Sequence, residues 1–237
     1  PDAPTLWRNV TAGRYPVGET PAERWDPSRY WDPDPRAPDR TYSKIGGWVR
    51  EWPWDPRGWK LPVPPAVAEQ MDRGQQWAVA ACREALVDWG WPTRALDHDR
   101  TAVVLGNAMA GDKHYLTALR ILFPEYAREL EGAPHFAALP AEVRAAIVEE
   151  TRERMGRALP PITEDTMPGE LANVIAGRVA NLFNLHGPNY VVDAACASAM
   201  AAITAAVEGL EAGDYDAVLT GGIDANMSAS TFVKFCK

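Results

Sequence analysis

The stretch from Asn189 to Gly222 limits the fold of this chain more than any other. It reads as a short apolar strand, a helical segment and a second apolar strand at Ala217–Gly222. The helical segment carries no charged residue from Cys196 to Val207, a length of about 18 Å at 1.5 Å per residue. A helix that is apolar on all sides is an interior helix, so we expect this one to lie inside an α/β protein.

Strands and helices alternate along the chain from Pro65 onward, judged from the spacing of apolar residues and from glycines and prolines at the ends of each run. The predicted elements are helix 65–89 closed by Gly90, strand 101–106, helices 113–130, 140–158 and 171–183, strand 189–193, helix 196–213 and strand 217–222. This order favours a mixed α/β sheet with helices on both faces.

The first 65 residues have a different composition. They hold most of the 21 prolines and 7 of the 10 tryptophans. Proline at this density prevents long helices and central strands, while the tryptophan rings need to be covered. We therefore predict an irregular Trp/Pro-rich segment (1–65) packed on an α/β unit (66–237). One short edge strand is expected at Gly47–Trp52.

Composition and charge exclude several classes of function. Lys plus Arg is 24 and Asp plus Glu is 32, a net charge of −8, whereas a nucleic-acid partner requires a basic surface. No apolar run approaches the ~18 residues that span a bilayer, and no signal peptide is recognisable, so we expect no membrane partner. Three widely spaced cysteines, Cys82, Cys196 and Cys236, suit a reducing compartment and predict a cytoplasmic protein. No Cys and His spacing predicts a metal site.

Cys196 carries the strongest chemical signal. It follows a predicted strand and two alanines and begins an apolar helix. The unpaired N–H groups and the positive dipole of a helix N-terminus stabilise a thiolate. A tight strand-to-helix turn would project the side chain away from the sheet, and the small neighbours leave room for a substrate. The residues alone leave two interpretations open: a catalytic nucleophile, or a small cysteine packed as a hydrophobic residue.

The segment Asp193–Ser198 resembles the nucleophile motif of the β-ketoacyl synthases of fatty acid and polyketide synthesis. Other segments resemble the same family in the same order. These are Arg24–Pro27 with Gly46–Trp48, Glu84–Leu86 with Gly90, Asn173–Ala180, Gly187–Pro188 and Leu219–Gly222. Glu164–Gly169 is most similar to the branch that includes polyunsaturated-fatty-acid and enediyne synthases. The chain thus resembles the amino-terminal half of a ketosynthase domain from a type I polyketide or polyunsaturated-fatty-acid-like synthase.

The resemblance implies a thiolase-like fold, in which two similar α/β halves form α-β-α-β-α layers and this chain is the first half. It implies that Cys196 accepts an acyl group and that a malonyl-type extender then condenses with it by decarboxylative Claisen chemistry. Two histidines of the second half, whose motifs this chain lacks, would assist, so the segment 1–237 alone is expected to be inactive. Met109, Thr166 and Met167 are implied at the acyl pocket or dimer interface.

The resemblance also implies the partners. Substrates would be carried on the phosphopantetheine of an acyl carrier protein, with no cofactor bound directly by this chain. A second copy in a homodimer and neighbouring synthase domains such as an acyltransferase are expected. Two alternatives stay open: a non-catalytic ketosynthase-like subunit that scaffolds a dimer or sets chain length, and a thiolase-fold condensing enzyme that uses coenzyme A thioesters directly. The cysteine at 196 argues against the first, and the Trp-rich segment argues against the second.

Overall fold

A computed structural model describes residues 2–49, 52, 54–109 and 111–237. The helices are α1 (Ala3–Thr11), α2 (Pro27–Tyr30), α3 (Pro65–Gln70), α4 (Arg73–Trp89), α5 (Lys113–Ile121), α6 (Phe123–Gly132), α7 (Pro134–Ala137), α8 (Ala141–Ala158), α9 (Thr166–Glu170), α10 (Val174–Leu182), α11 (Ser198–Ala212) and α12 (Ala229–Phe235). The strands are β1 (Val17–Glu19), β2 (Ile45–Gly47), β3 (Thr101–Gly106), β4 (Asn189–Val192) and β5 (Ala217–Gly222).

Two compact units divide the chain. The smaller unit combines Pro1–Asp55 with Asn226–Lys237, and the larger one is Pro56–Ala225. In the smaller unit, β1 pairs antiparallel with β2. The edge strand predicted at Gly47–Trp52 is therefore misplaced, because the partner strand β1 sets the pairing and only Gly47 of that range takes part. Arg50 and Glu51 of that range lie outside the described residues.

Tryptophans of the smaller unit pack around the last helix, α12. Trp25 is buried and meets the ring of Phe232 edge-on, with 5.1 Å between the ring centroids. Trp48 stacks on the same ring at 5.9 Å. The hydroxyl of Thr41 lies 3.0 Å from the sulfur of Cys236. The rings of Trp25 and Trp48 are thus covered within the same unit, whereas Trp7 is 68% exposed.

A three-stranded parallel sheet forms the centre of the larger unit, with the strand order β4-β3-β5. All six residues of the central strand β3 are buried. Strands β3 and β5 have the predicted bounds, and β4 ends one residue earlier than predicted, at Val192. A parallel sheet needs cover on both faces, which explains why β3 is apolar along nearly its whole length.

Helices lie on both faces of this sheet, as predicted. Val104 of β3 packs in one cluster with Ala202 and Ala206 of α11. Because successive strand side chains point to opposite faces, Val103 and Leu105 point away from α11. Helix α10 contacts both β3 and β4, and it also packs on α4.

Three predicted helices are interrupted or shortened. The helix predicted over 65–89 breaks between α3 and α4, where Asp72 is extended and its carboxylate accepts a hydrogen bond from the Gly74 N–H. The one predicted over 113–130 breaks at Leu122, because Pro124 starts a new helix. The one predicted over 171–183 begins only at Val174, because Leu171 is extended where it ends the separate helix α9.

Helix α11 is covered on one face only. Its small residues Ser198, Ala202 and Ala206 are buried. The opposite stripe is exposed, with 65% for Met200, 37% for Ile203, 46% for Val207 and 40% for Leu210. The interior position expected for this helix is therefore not reached within this chain, because the described residues cover only the small-residue face.

The segment that contains α11 corrects the expectation that no apolar run approaches the length that spans a bilayer. Ala195–Ala212 is long and apolar enough to cross a membrane by length and composition, and 22% of it is buried. Core helices of soluble proteins pass the same test. One face of this helix packs on Val104 through Ala202 and Ala206, so length and apolarity alone carry no membrane assignment.

Candidate active site

The cysteine at 196 lies in a strained turn between β4 and α11. A 3₁₀ turn covers Ala195–Ala197, and α11 starts only at Ser198. Ala195 has a φ of 50°, a left-handed conformation that costs a non-glycine residue about 1–2 kcal/mol. Cys196 itself is exposed. The turn thus presents the Cys196 thiol to solvent. The helix that was predicted to begin at Cys196 begins two residues later, at Ser198.

Hydrogen bonds from two side chains hold this turn in place. The Ser198 hydroxyl donates to the Ala195 carbonyl at 2.6 Å and accepts from the Ala194 N–H at 2.9 Å. The Asp193 carboxylate accepts from the Ala195 N–H at 2.9 Å. A strained backbone conformation persists only where the surrounding structure holds it in place. These hydrogen bonds give Ala195 that support.

Two glycines let the sheet approach the start of α11. A Cβ atom at Gly106, the last residue of β3, would overlap the backbone of Ser198. A Cβ atom at Gly222, the last residue of β5, would lie 2.5 Å from the Cβ of Ala199. The carboxyl ends of these strands therefore lie directly beneath the cysteine turn. This edge of a parallel sheet is where α/β proteins bind their ligands.

The loop after β3 is tied to the same edge. The Asn107 N–H donates to the carbonyl of Val192 at 3.1 Å, and its side-chain amide donates to the carbonyl of Ile223 at 2.8 Å. The Ile223 N–H donates back to Gly106 at 2.9 Å. All three strand ends are thus linked, which gives the cysteine turn a rigid base.

Asp72 anchors this loop and helix α9 to the start of α4. Its carboxylate accepts from the N–H groups of Gly74 at 2.7 Å and of Lys113 at 3.0 Å, and its own N–H donates to Gly169 at 2.8 Å. Burial raises the pKa of Asp72, and the nearby carboxylate of Glu170 raises it as well. Asp72 therefore links the segments that contain Met109 and Thr166–Met167, the first through its carboxylate and the second through its backbone N–H.

The three further residues predicted at the acyl pocket have different environments. Thr166 is buried, and its hydroxyl donates to Gln70 at 3.4 Å and accepts from the Thr163 N–H at 2.8 Å. Met167 is 63% exposed and Met109 is 36% exposed. The two methionine side chains are available for contact with a ligand, whereas the threonine hydroxyl already holds helix α9 in position.

The histidines lie apart from the cysteine turn or are bonded to other groups. His186 precedes β4, and Nδ1 of its ring bonds the Asp99 carboxylate. It therefore lies at the opposite end of this strand from Cys196. His114 lies on α5, with its Nδ1 3.4 Å from the carboxylate of Glu170.

Sequence analysis missed a buried polar cluster formed by Asp72, Gln75, Asn107 and Glu170. These residues come from three separate segments, since Asp72 and Gln75 both lie at the start of α4, and they line one small cavity. Gln75 is the one residue whose sequence position indicates the cluster. It is a polar residue on the helix stripe that also contains the apolar residues Val79, Cys82 and Leu86.

Comparison with known proteins identifies relatives of this chain by sequence. The family model for the β-ketoacyl synthase N-terminal domain matches residues 1–237. The chain is 30% identical over 233 residues to a polyunsaturated fatty acid synthase of Thraustochytrium, covering 98% of this chain and 8% of that protein. It is 28% identical over 229 residues to polyketide synthase PksL of Bacillus subtilis, covering 96% of this chain and 4% of that protein. The chain thus spans less than a tenth of these relatives.

Solved structures show the same fold. An oxazolomycin ketosynthase domain of Streptomyces albus superposes with a TM-score of 0.72 at 24% identity, over 98% of this chain and 33% of that one. A ketosynthase from module 6 of the bacillaene synthase of Bacillus subtilis gives 0.67 at 21% identity, over 98% and 31%. The predicted thiolase-like α/β fold is confirmed. The match along the whole chain places it in one family: it belongs to the β-ketoacyl synthases, as their N-terminal domain.

Proposed function

We propose that this chain supplies the nucleophile of a ketosynthase that extends acyl chains in polyketide or fatty acid biosynthesis, with Cys196 as the acyl acceptor. One observation carries the proposal. An exposed thiol stands in a strained, hydrogen-bonded turn above the carboxyl ends of three parallel strands. This turn has the geometry of a strand-to-helix nucleophile elbow.

In the first half-reaction, the Cys196 sulfur attacks the carbonyl carbon of an acyl thioester. The tetrahedral intermediate carries its negative charge on the carbonyl oxygen, and the Cys196 N–H is proposed as one donor to that oxygen. Collapse breaks the bond to the carrier sulfur, which leaves as the free phosphopantetheine thiol. The acyl group is then bound to Cys196 as a thioester.

In the second half-reaction, a malonyl-type extender on acyl carrier protein loses CO₂, and the resulting carbanion attacks the acyl-Cys196 carbonyl. A carbon–carbon bond forms, the bond to the cysteine sulfur breaks, and the β-ketoacyl thioester remains on the carrier. The histidines that assist decarboxylation are proposed to come from a second half of the domain. Met109, Thr166 and Met167 stay predictions for the acyl pocket or dimer interface, as do neighbouring acyltransferase domains and a cytoplasmic location.

We further propose a homodimer formed through β4. This strand is at the edge of the sheet, with Asn189 and Tyr190 exposed and Val191 half-buried. An antiparallel pair of such strands around a two-fold axis satisfies their free edges. Val191→Asp in the full-length protein would set two carboxylates near that axis, so we expect sedimentation to report a monomer. Val87→Asp, at an exposed site on α4, is the matched control and leaves the dimer intact. A dimer that survives Val191→Asp contradicts this assignment.

The division into a segment 1–65 and a first thiolase-like half 66–237 also remains a prediction. It is supported by the change in composition at Pro65 and can be checked by limited proteolysis of the full-length protein. Cleavage confined to the exposed Pro-rich stretch before Pro65 would agree with it, whereas a first cut inside α4 or α10 would contradict it.

The whole reaction tests the proposed function. The full-length protein is supplied with acyl- and malonyl-loaded acyl carrier protein, and the β-ketoacyl product is measured by mass spectrometry. Cys196→Ala is expected to abolish the product, while Cys236→Ser, at a half-buried cysteine of the smaller unit, retains it. Activity in Cys196→Ala would refute the nucleophile. A protein that dimerises but forms no product would support the alternative of a non-catalytic ketosynthase-like subunit. Condensation with coenzyme A thioesters, in the absence of acyl carrier protein, would support the alternative of a thiolase-fold condensing enzyme.

A further inference from the structure

A small cavity lies in the larger unit between α4, α9 and the loop that follows β3. Its volume is about 10 Å³, close to the least that holds one water molecule or ion. Four polar side chains line it, those of Asp72, Gln75, Asn107 and Glu170. Each is more than nine-tenths buried: the exposed fractions are 4%, 1%, 4% and 8%. The remaining lining residues are Gly74, Gly111, Leu171, Ile175 and Ala225.

Two amide oxygens at this cavity have no hydrogen-bond partner among the described residues, Oε1 of Gln75 and Oδ1 of Asn107. Their orientation is defined by the other end of each amide. The Gln75 nitrogen donates to the carbonyls of Pro168 at 2.8 Å and Leu171 at 3.3 Å, and the Asn107 nitrogen donates to Ile223 at 2.8 Å. Rotating either amide would set an oxygen against a carbonyl oxygen. Both amide oxygens are therefore held as acceptors, and leaving a buried acceptor unpaired costs about 1–3 kcal/mol.

Two carboxylates complete the lining. Each oxygen of Asp72 accepts one backbone N–H, and the Glu170 carboxylate accepts the Thr117 hydroxyl at 2.6 Å. A carboxylate oxygen accepts two hydrogen bonds, so each keeps a lone pair for another ligand. The nitrogen groups facing this pair are the Lys113 ammonium, which donates to the Glu69 carbonyl at 3.0 Å, and the His114 imidazole, whose Nδ1 lies 3.4 Å from the Glu170 carboxylate.

We propose that this cavity binds one hard cation through the side-chain oxygens of Gln75, Asn107, Asp72 and Glu170. A protein donor or a water molecule would satisfy at most the two amide oxygens, whereas the carboxylates of Asp72 and Glu170 are buried at the same place and keep free lone pairs. Buried charges are paired or coordinate metals, and amide and carboxylate oxygens are the ligands of hard cations such as Na⁺, K⁺, Mg²⁺ and Ca²⁺. A Cβ atom at Gly111 would overlap the Asp72 carboxylate. Because glycine has no Cβ atom, the carboxylate oxygens stay accessible to a ligand.

The bound cation joins three segments around the cysteine turn. Gln75 belongs to α4, Glu170 to α9, and Asn107 to the loop that is bonded to the end of β4. The cation would hold these segments together without contacting a substrate. This function is independent of the chemistry proposed for Cys196, so each can fail without the other.

Thermal unfolding of the full-length protein tests the proposal. Melting temperatures are compared in NaCl, KCl, MgCl₂ and CaCl₂ against choline chloride at equal ionic strength. A ligand that binds only the folded state stabilises it, so at least one of these cations raises the melting temperature by about 2–4 °C or more. Gln75→Met removes the amide oxygen at similar volume and abolishes this increment. Gln76→Met, the next residue on α4, whose amide donates to the Ala68 and Met71 carbonyls instead, retains it.

Equal melting temperatures in all five salts would overturn the proposal, and so would a full increment in Gln75→Met. Should Gln75→Met fail to fold, crystals of the wild-type protein soaked in RbCl or MnCl₂ decide the question. An anomalous difference peak between Gln75 and Asn107 supports the site. Electron density at this place without an anomalous signal in either soak identifies a water molecule and refutes the cation site.

Discussion

The three cysteines differ in environment, and the environment determines which of them can react. Cys82 is 7% exposed on α4, and burial raises its pKa to about 12. Cys236 is half-buried and bonded to Thr41. Cys196 is exposed, on a turn that α11 follows at once. Because the thiolate is the reacting species, only an accessible and ionisable thiol is a nucleophile.

Iodoacetamide labelling of the full-length protein at pH 8 is therefore expected to modify Cys196 first. A thiol with a pKa of about 12 is ionised to roughly one part in ten thousand at that pH, so Cys82 reacts slowly as long as it stays buried. Peptide mass spectrometry over a time course measures both rates. Equal rates for Cys82 and Cys196 would contradict this account of the thiols.

The motif around Cys196 could be found from sequence, but its strained backbone could not. Small residues between a strand and an apolar helix indicate a nucleophile turn in any α/β protein. Ala195 gives no such signal, because alanine seldom adopts a positive φ. Its conformation depends on the hydrogen bonds of Ser198 and Asp193, which form only once the turn is folded.

The end of β3 and the start of α11 depend on each other through Gly106. Gly106→Ala would push a methyl group into the backbone of Ser198, and overpacking of this kind costs about 1–3 kcal/mol. We expect a lower free energy of unfolding in denaturant titrations and slower acylation of Cys196, because the turn is displaced.

Gly132→Ala is the matched control for that substitution. This glycine ends α6, and a Cβ atom there meets nothing within 4 Å. Alanine in a helix is favoured over glycine by about 0.5–1 kcal/mol, so stability is expected to rise slightly with acylation unchanged. A Gly106→Ala protein as stable and as fast as Gly132→Ala would show that the close approach is unimportant.

Elements defined by local pattern were predicted with accurate bounds, whereas those that depend on distant partners were not. Strands β3 and β5 are short apolar runs that end in glycine, and their bounds are as predicted. The break at Asp72 depends on Lys113 and Gly169, which are far away in sequence. The buried cluster around Gln75 was missed for the same reason, since Asn107 and Glu170 meet the start of α4 only in the fold.

The exposed stripe of α11 affects how the chain behaves as a whole. Met200, Ile203, Val207 and Leu210 form an apolar surface next to the cysteine turn. Fully burying each such side chain stabilises a protein by about 1.5–3 kcal/mol, and a typical domain is stable by only about 5–15 kcal/mol. We expect residues 1–237, expressed alone, to aggregate or to melt without a sharp transition, and to form no β-ketoacyl product.

Polar substitutions on this stripe test whether it causes the aggregation expected of residues 1–237. Ile203→Gln with Val207→Gln should raise the soluble fraction of residues 1–237, measured by centrifugation and size-exclusion chromatography, because large apolar patches drive association. Val10→Gln with Val87→Gln, at exposed sites on α1 and α4, serves as the control. Equal solubility of both double variants, or a sharp cooperative melt with turnover by the unsubstituted segment, would contradict this explanation.

The location of the acyl group tests the central claim, that Cys196 accepts it. The full-length protein is incubated with an acyl-pantetheine thioester and no extender, digested, and analysed by mass spectrometry. We expect one acyl adduct, on the peptide that contains Cys196, and its loss with hydroxylamine, which cleaves thioesters. An adduct on Cys236 or on a serine, or an unchanged adduct in Cys196→Ala, would contradict it.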